Sequence, residues 1–265
     1  MRNDAIALED GRLDGLDLSS YPWVHERHRI FPQIFENGTY KKILDVAAGV
    51  GVVPKRIQDS YPCDMLCNDI SPQSLKSLKA NNLKTVSFDL DDPELTYPFP
   101  DETFDAILSL ATLEHIINTK HHMTEVRRIL KTGGHLYIST PNYSGLQFAI
   151  PFLLKGRSFH NPLKEGINEY EFYAHVRYFT YKTLMEFVSS FGFSAEKVYL
   201  PLPKCSSRYL AFKRRSKSLA FLFRLVMHVC YKVLTPRWAF HPVIRFSKSD
   251  IPTNGKYRKP KKVIV

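Results

Sequence analysis

Ile43-Leu44-Asp45-Val46-Ala47-Ala48-Gly49-Val50-Gly51 is an apolar run that ends in a turn of small residues. A second strand-like run follows and closes on Asp69. Residues without bulk at 47–51 let the backbone approach a ligand closely. A carboxylate about 20 residues further on accepts hydrogen bonds from ribose hydroxyls. The pair therefore predicts a strand–turn–helix–strand unit that holds a nucleoside. A dinucleotide fingerprint would need a third glycine at position 54, where the chain has Pro54. Asp45, inside the strand before the turn, is also not something a dinucleotide site requires.

Further motifs follow in order. Asn68-Asp69-Ile70-Ser71 and Phe88-Asp89-Leu90 each place a carboxylate at the end of an apolar run. Pro98 to Ile107 leads into a fourth strand, and Leu113-Glu114-His115 comes just after it. Glu125 to Gly134 reads as a helix and a turn before a fifth strand. Together, over residues 41–141, this series resembles the class I S-adenosylmethionine-dependent methyltransferases, with Ala47 in place of the usual first glycine. The resemblance weakens after Pro141 and ends near residue 200. It implies S-adenosylmethionine as methyl donor, held by Asp45, Ala47, Gly49, Gly51, Asp69, Ile70, Asp89, Leu90 and Leu110. Asp69 would take the ribose hydroxyls, and Asp89 would lie near the adenine amino group.

Hydrophobic periodicity predicts strands at 41–47, 64–69, 84–88, 104–110, 134–140 and 195–200, with helices at 52–60, 71–81, 119–131 and 181–191. Alternating strands and helices with near-continuous apolar strands mean a parallel sheet covered on both faces. The expected fold is α/β and doubly wound, a mostly parallel seven-stranded Rossmann-like sheet with an antiparallel last strand. Lys262-Val263-Ile264-Val265 is the expected last strand, at 261–265, beside strand six. A helical lead-in at 19–36, broken by Pro22 and Pro32, either covers the cofactor or packs on the sheet edge. Residues 141–179, rich in aromatic side chains, are the expected acceptor lid. The expected division is a methyltransferase domain at 1–203 and a basic, amphipathic helical segment at 204–265.

Methyl transfer from a sulfonium needs alignment, and a hydroxyl acceptor also needs a base. His115, after the fourth strand, and His175, in Ala174-His175-Val176-Arg177-Tyr178, are the catalytic candidates, each against a packing or capping role. Tyr173 and Arg177 are the substrate-contact candidates. Some quinone-pathway O-methyltransferases carry Glu-x-x-Glu-His here and are thought to hold a divalent metal. This chain has Ala111-Thr112-Leu113-Glu114-His115, without the first carboxylate, so no metal is expected. The Asn/Asp-Pro-Pro-aromatic tetrad of base-amino methyltransferases is absent after strand four, which disfavours nucleic-acid bases. His121 and His122 are read as solvent-facing.

The 265 residues carry a formal charge of +11, with 44% hydrophobic content, enough for a large core. The charge is not evenly spread. Residues 204–265 hold 16 Lys/Arg and one acid, Asp250, while residues 1–203 have a slight acidic excess. Four scattered cysteines fit packed free thiols in a reducing compartment. An acidic, polar start without a signal-peptide pattern agrees with a cytoplasmic protein. Residues 213–234 read as one helix, with Lys217, Arg224, His228 and Lys232 on a cationic stripe and a wide apolar face. Trp238, Phe240 and Phe246 continue that character. A span across the bilayer is disfavoured by length and charge. The expected partner of 213–240 is an anionic membrane surface on the cytosolic side, with packing or a homodimer as the alternative and nucleic acid disfavoured. The expected acceptor is a hydrophobic small molecule or a lipid-linked one, methylated on oxygen at the membrane surface. The alternatives are a soluble metabolite and a non-enzymatic binding module.

Overall fold

The computed structural model describes residues 15, 17–19, 25–36, 38–156, 175–249 and 257–265. Eight strands form one sheet among them: β1 (Lys42–Asp45), β2 (Asp64–Asn68), β3 (Lys84–Val86), β4 (Phe104–Leu110), β5 (Leu130–Ser139), β6 (Phe193–Leu200), β7 (Val243–Lys248) and β8 (Lys261–Ile264). Their order is β3-β2-β1-β4-β5-β7-β6-β8. β1 to β5 run parallel, in pairs such as Asp45 with Cys67 and Leu44 with Ile107. β1 and β4 are neighbours, and the chain turns to opposite sides from them. That is the switch point at which open α/β sheets bind ligands, beyond the carboxyl ends of the strands.

The helices are α1 (Glu26–Arg29), α2 (Val52–Ser60), α3 (Pro72–Ala80), α4 (Thr119–Ile129), α5 (Leu146–Lys155), α6 (Tyr181–Ser190), α7 (Ser207–Arg215) and α8 (Lys217–Val233). Local chemistry sets several ends. Ser71 caps α3 by accepting from the Ser74 N–H at 3.1 Å, with Pro72 at the first position. Thr180 and Thr183 close a reciprocal cap on α6. One face of α4 buries Met123, Val126 and Ile129 against the sheet. Of the lead-in, residues 25–36 form α1 and a 3-10 turn. Ile30, Phe31, Ile34 and Phe35 are buried, and Phe31 and Phe35 stack edge-on with Tyr137 and Tyr40. Here the lead-in packs on the sheet.

The sequence expectation fails at the far edge. The antiparallel strand is not 261–265 but β7, which inserts between β5 and β6 and runs against both. β8 lies outside β6 and runs parallel to it. The physical reason is burial: Val243, Ile244 and Phe246 are fully buried and suit a central strand, whereas Lys261 is exposed and suits an edge. Phe246 is thus core and not interfacial. Residues from 204 onward contribute two sheet strands as well as α7 and α8. The helix expected at 213–234 is two helices, because extended Ser216 caps α8 through the Leu219 N–H at 3.3 Å. The Lys213-Arg214-Arg215 cluster closes α7. His122 does not face solvent: it is fully buried, with Nδ1 2.8 Å from the Tyr97 hydroxyl, and burial lowers its pKa to about 4.

Candidate functional site

Six chain segments contribute to the site, at or beyond the carboxyl ends of the strands. Asp45 ends β1, is 3% exposed, and accepts from the Ala47 N–H at 3.3 Å. Burial, opposed by that hydrogen bond and reinforced by the charge on Asp69, raises its pKa to about 7. Ala47, Gly49 and Gly51 form the turn that follows. Gly51 opens α2 with φ +98°, and a Cβ there would meet side-chain carbons of Leu78 and Leu83 at 3.0 and 3.1 Å. A Cβ at Gly49 would meet nothing within 4 Å, so the turn faces open space.

Asp69 follows β2. Its Oδ2 accepts from the Gly49 N–H at 2.8 Å and its Oδ1 from the Ser71 N–H at 2.9 Å. The carboxylate thus binds the glycine turn to the start of α3. Asn68 fastens the neighbouring loops by donating to the Val46 and Phe88 carbonyls and accepting from the Phe88 N–H. Ile70 is half-buried behind Asp69, and Leu90 and Leu110 are buried at the ends of their segments. Asp89 accepts from the Asp91 N–H at 2.9 Å, and Asp91 in turn accepts from Ile117 and Asn118. A glycine turn open in front, flanked by Asp45 and Asp69, fits a nucleoside-bearing methyl donor. These residues would hold it.

On the other side of the switch point, a 3-10 turn spans Leu113–His115 after β4. The Glu114 carbonyl accepts from the Val176 and Arg177 N–H groups at 3.0 and 3.1 Å. These two bonds carry His175 to His115, and the rings stand edge-on with centroids 4.9 Å apart. The His175 Nδ1 lies 2.6 Å from the Tyr143 hydroxyl. Arg177 donates to the carbonyls of Ile116 and Ile117, and so braces the segment from the far side. Tyr173 lies outside the described residues.

Two residues here carry more than the sequence reading gave them. Tyr143 was one aromatic among many in the expected lid, and nothing in the linear pattern tied it to His175. Glu114 is 1% exposed, and neither carboxylate oxygen has a hydrogen-bond partner. Burial raises its pKa to about 7, opposed by the pull of its own backbone N–H and then by the Arg27 charge on α1. The signal for Glu114 was an acid inside an otherwise apolar turn. Together with His115 and His175 it also forms a group whose ligand atoms all lie within 4.8 Å of one another. The expectation of no metal, drawn from residues 111–115 alone, did not include His175.

A methyltransferase-domain family model matches residues 44–138. The chain is 29% identical over 114 residues to a demethylmenaquinone methyltransferase of Tropheryma whipplei, covering 42% of this chain and 46% of that protein. It is 30% identical over 103 residues to ajmaline N-methyltransferase of Rauvolfia serpentina, covering 37% of this chain and 35% of that one. The chain thus spans under half the length of these two relatives. A crystal structure of an S-adenosylmethionine-dependent methyltransferase from Thermotoga maritima superposes with a TM-score of 0.56 at 15% identity. That match covers 84% of this chain and 89% of the other, and it shows a common fold.

Proposed function

We propose, for a chain that belongs through residues 44–138 to the class I S-adenosylmethionine-dependent methyltransferases, that it methylates an oxygen of a hydrophobic acceptor at an anionic membrane surface. Bound in the glycine turn, S-adenosylmethionine supplies an activated methyl group on its sulfonium. Asp69 accepts from the ribose hydroxyls, and Asp45 sits behind the turn as a buried acceptor. His115 and His175 take the acceptor proton at an imidazole nitrogen, and Tyr143 sets the orientation of His175. Arg177 acts through its hold on the 116–117 carbonyls. The single observation that carries the reading is the meeting of His115 and His175, ring centroids 4.9 Å apart, just beyond the carboxyl end of β4, a pairing suited to taking a proton from an acceptor.

The membrane part rests on α8. Its narrow face, Ala220, Met227 and Tyr231, is buried on the enzyme. Its wide face leaves Phe221, Leu222, Leu225, Val226, Val229 and Val233 exposed, Phe221 at 68% and Val233 at 76%. At the end of α5, Leu153 and Leu154 are 78% and 76% exposed. Apolar area of this kind, edged by Lys213, Arg214, Arg215, Lys217 and Arg224, suits the headgroup region of an anionic bilayer. No helix among the described residues is long and apolar enough to cross a membrane.

The test is transfer of labelled methyl from S-adenosylmethionine in the presence of anionic vesicles carrying a membrane-lipid extract, alongside an aqueous metabolite extract. Label in an ether or ester of a vesicle-bound product supports the proposal. Label only in aqueous products overturns the membrane part and returns the α8 face to dimerisation. Donor binding with no label in either fraction makes the chain a binding module.

A further inference from the structure

Glu114 is buried with neither carboxylate oxygen hydrogen-bonded. Burying a carboxylate without a hydrogen-bond partner is costly, which directs attention to what stands around it. The Arg27 guanidinium acts on it electrostatically, but no hydrogen bond joins the two. The atoms that do stand within reach are nitrogens of His115 and His175. A carboxylate and two imidazoles from two separate segments, locked together by backbone hydrogen bonds from Val176 and Arg177, make a ligand set.

We propose that Glu114, His115 and His175 bind a first-row divalent cation of the zinc class. The donor types argue for it. Two imidazoles and one carboxylate suit zinc or cobalt, whereas magnesium and calcium prefer all-oxygen sites. Three protein ligands leave a coordination position open, as in zinc sites that handle a substrate. His115 is exposed, so that position is accessible from solvent. The orienting group is present as well. The His175 Nδ1 lies 2.6 Å from the Tyr143 hydroxyl, and an outer hydrogen bond of this kind fixes the tautomer and ring of a ligating histidine. The separation of up to 4.8 Å between ligand atoms closes on the ion by side-chain rotation.

On the reading above the site lies where the acceptor would be met, so with the ion bound an acceptor oxygen takes the open position, and the two imidazoles serve as ligands in place of the proton-accepting role they have without it. The proposal goes beyond methyl transfer and is tested without it. The full-length protein, stripped with a chelator, is titrated with Co2+ while the visible d–d absorption is followed, and Zn2+ is then added in competition. Wild type should take up one Co2+ with a low-symmetry absorption band that Zn2+ removes. Glu114→Gln, His115→Ala and His175→Ala should each lose saturable binding. Tyr143→Phe should weaken it about 10- to 100-fold, and His228→Ala, on α8, should leave it unchanged. His115→Ala and His175→Ala carry the test if Glu114→Gln does not fold, because both side chains lie outside the core. Absence of the band in wild type, or a band that survives both histidine changes, overturns the proposal. S-adenosylmethionine binding, measured by calorimetry on the same samples, reports on the methyltransferase reading separately.

Discussion

The Tyr143 hydroxyl lies 2.6 Å from Nδ1 of His175, across a gap of 32 positions in the chain. Tyr143 leaves β5 through the Asn142 loop, and His175 arrives on the segment held by Glu114. Each is placed by a different part of the backbone, so their contact is a product of the fold. Burial, with the charges of Tyr178 and Glu114 behind it, pushes the Tyr143 phenol pKa up, so at neutral pH Tyr143 keeps its proton. Tyr143→Phe should slow methyl transfer about three- to tenfold, the value of one hydrogen bond. Donor affinity should not change, and the 15N shifts of the His175 ring should move. Unchanged ring shifts would dismiss the positioning role.

Asp69→Ala should weaken S-adenosylmethionine binding by about 1.5–3 kcal/mol, roughly ten- to a hundredfold, through loss of charge-assisted hydrogen bonds. It also frees the Gly49 and Ser71 N–H groups, so the turn loosens along with the loss of the proposed ribose contact. Calorimetric titration measures this, and an unaltered Kd would remove Asp69 from the donor site.

Gly51→Ala should destabilise the fold by about 1–2 kcal/mol and weaken donor binding with it. The φ of +98° strains any L side chain, and the new methyl would press on Leu78 and Leu83. Gly49→Ala, at φ +55° with open space around its Cβ, should cost less. Urea unfolding of the two variants gives the comparison.

Asp45 gives a pH dependence with a definite sign. Its folded pKa, about 7, lies above the ordinary carboxylate value of 3.8, so between those limits the native state binds more protons than the unfolded one. This group therefore favours folding at low pH, and its contribution falls as pH rises from about 4 to 7, then levels off. Asp45→Asn, which carries no such charge, should gain in Tm relative to wild type on going from pH 5 to pH 8. Parallel Tm curves for the two proteins would show that Asp45 is not held in this way.

Val229→Glu and Leu225→Glu on the exposed face of α8 should leave stability within about 0.5 kcal/mol of wild type and abolish flotation with anionic vesicles. Ala220→Glu, on the buried face, should instead fail to fold stably. Vesicle binding that survives Val229→Glu and Leu225→Glu would place the contact elsewhere.

The linear sequence determined the parallel half of this protein. From Lys42 to Leu110, short-range signals agree with one another: apolar runs of strand length, small residues in the turn, Ser71-Pro72 at a helix start. Each is local, so residue identity alone places Asp45, Gly49, Gly51 and Asp69 at the ends of strands. The tertiary structure decided the rest. β7 occupies the centre of the antiparallel half because Val243, Ile244 and Phe246 bury more apolar surface there than the lysine-rich end could. The same strand-like pattern at 261–264 had no local feature to say which edge it would take. Glu114, His115, Tyr143 and His175 became neighbours through backbone hydrogen bonds between distant segments, which no periodicity records. Side-chain chemistry could be read one residue at a time, but the company those side chains keep required the closed sheet.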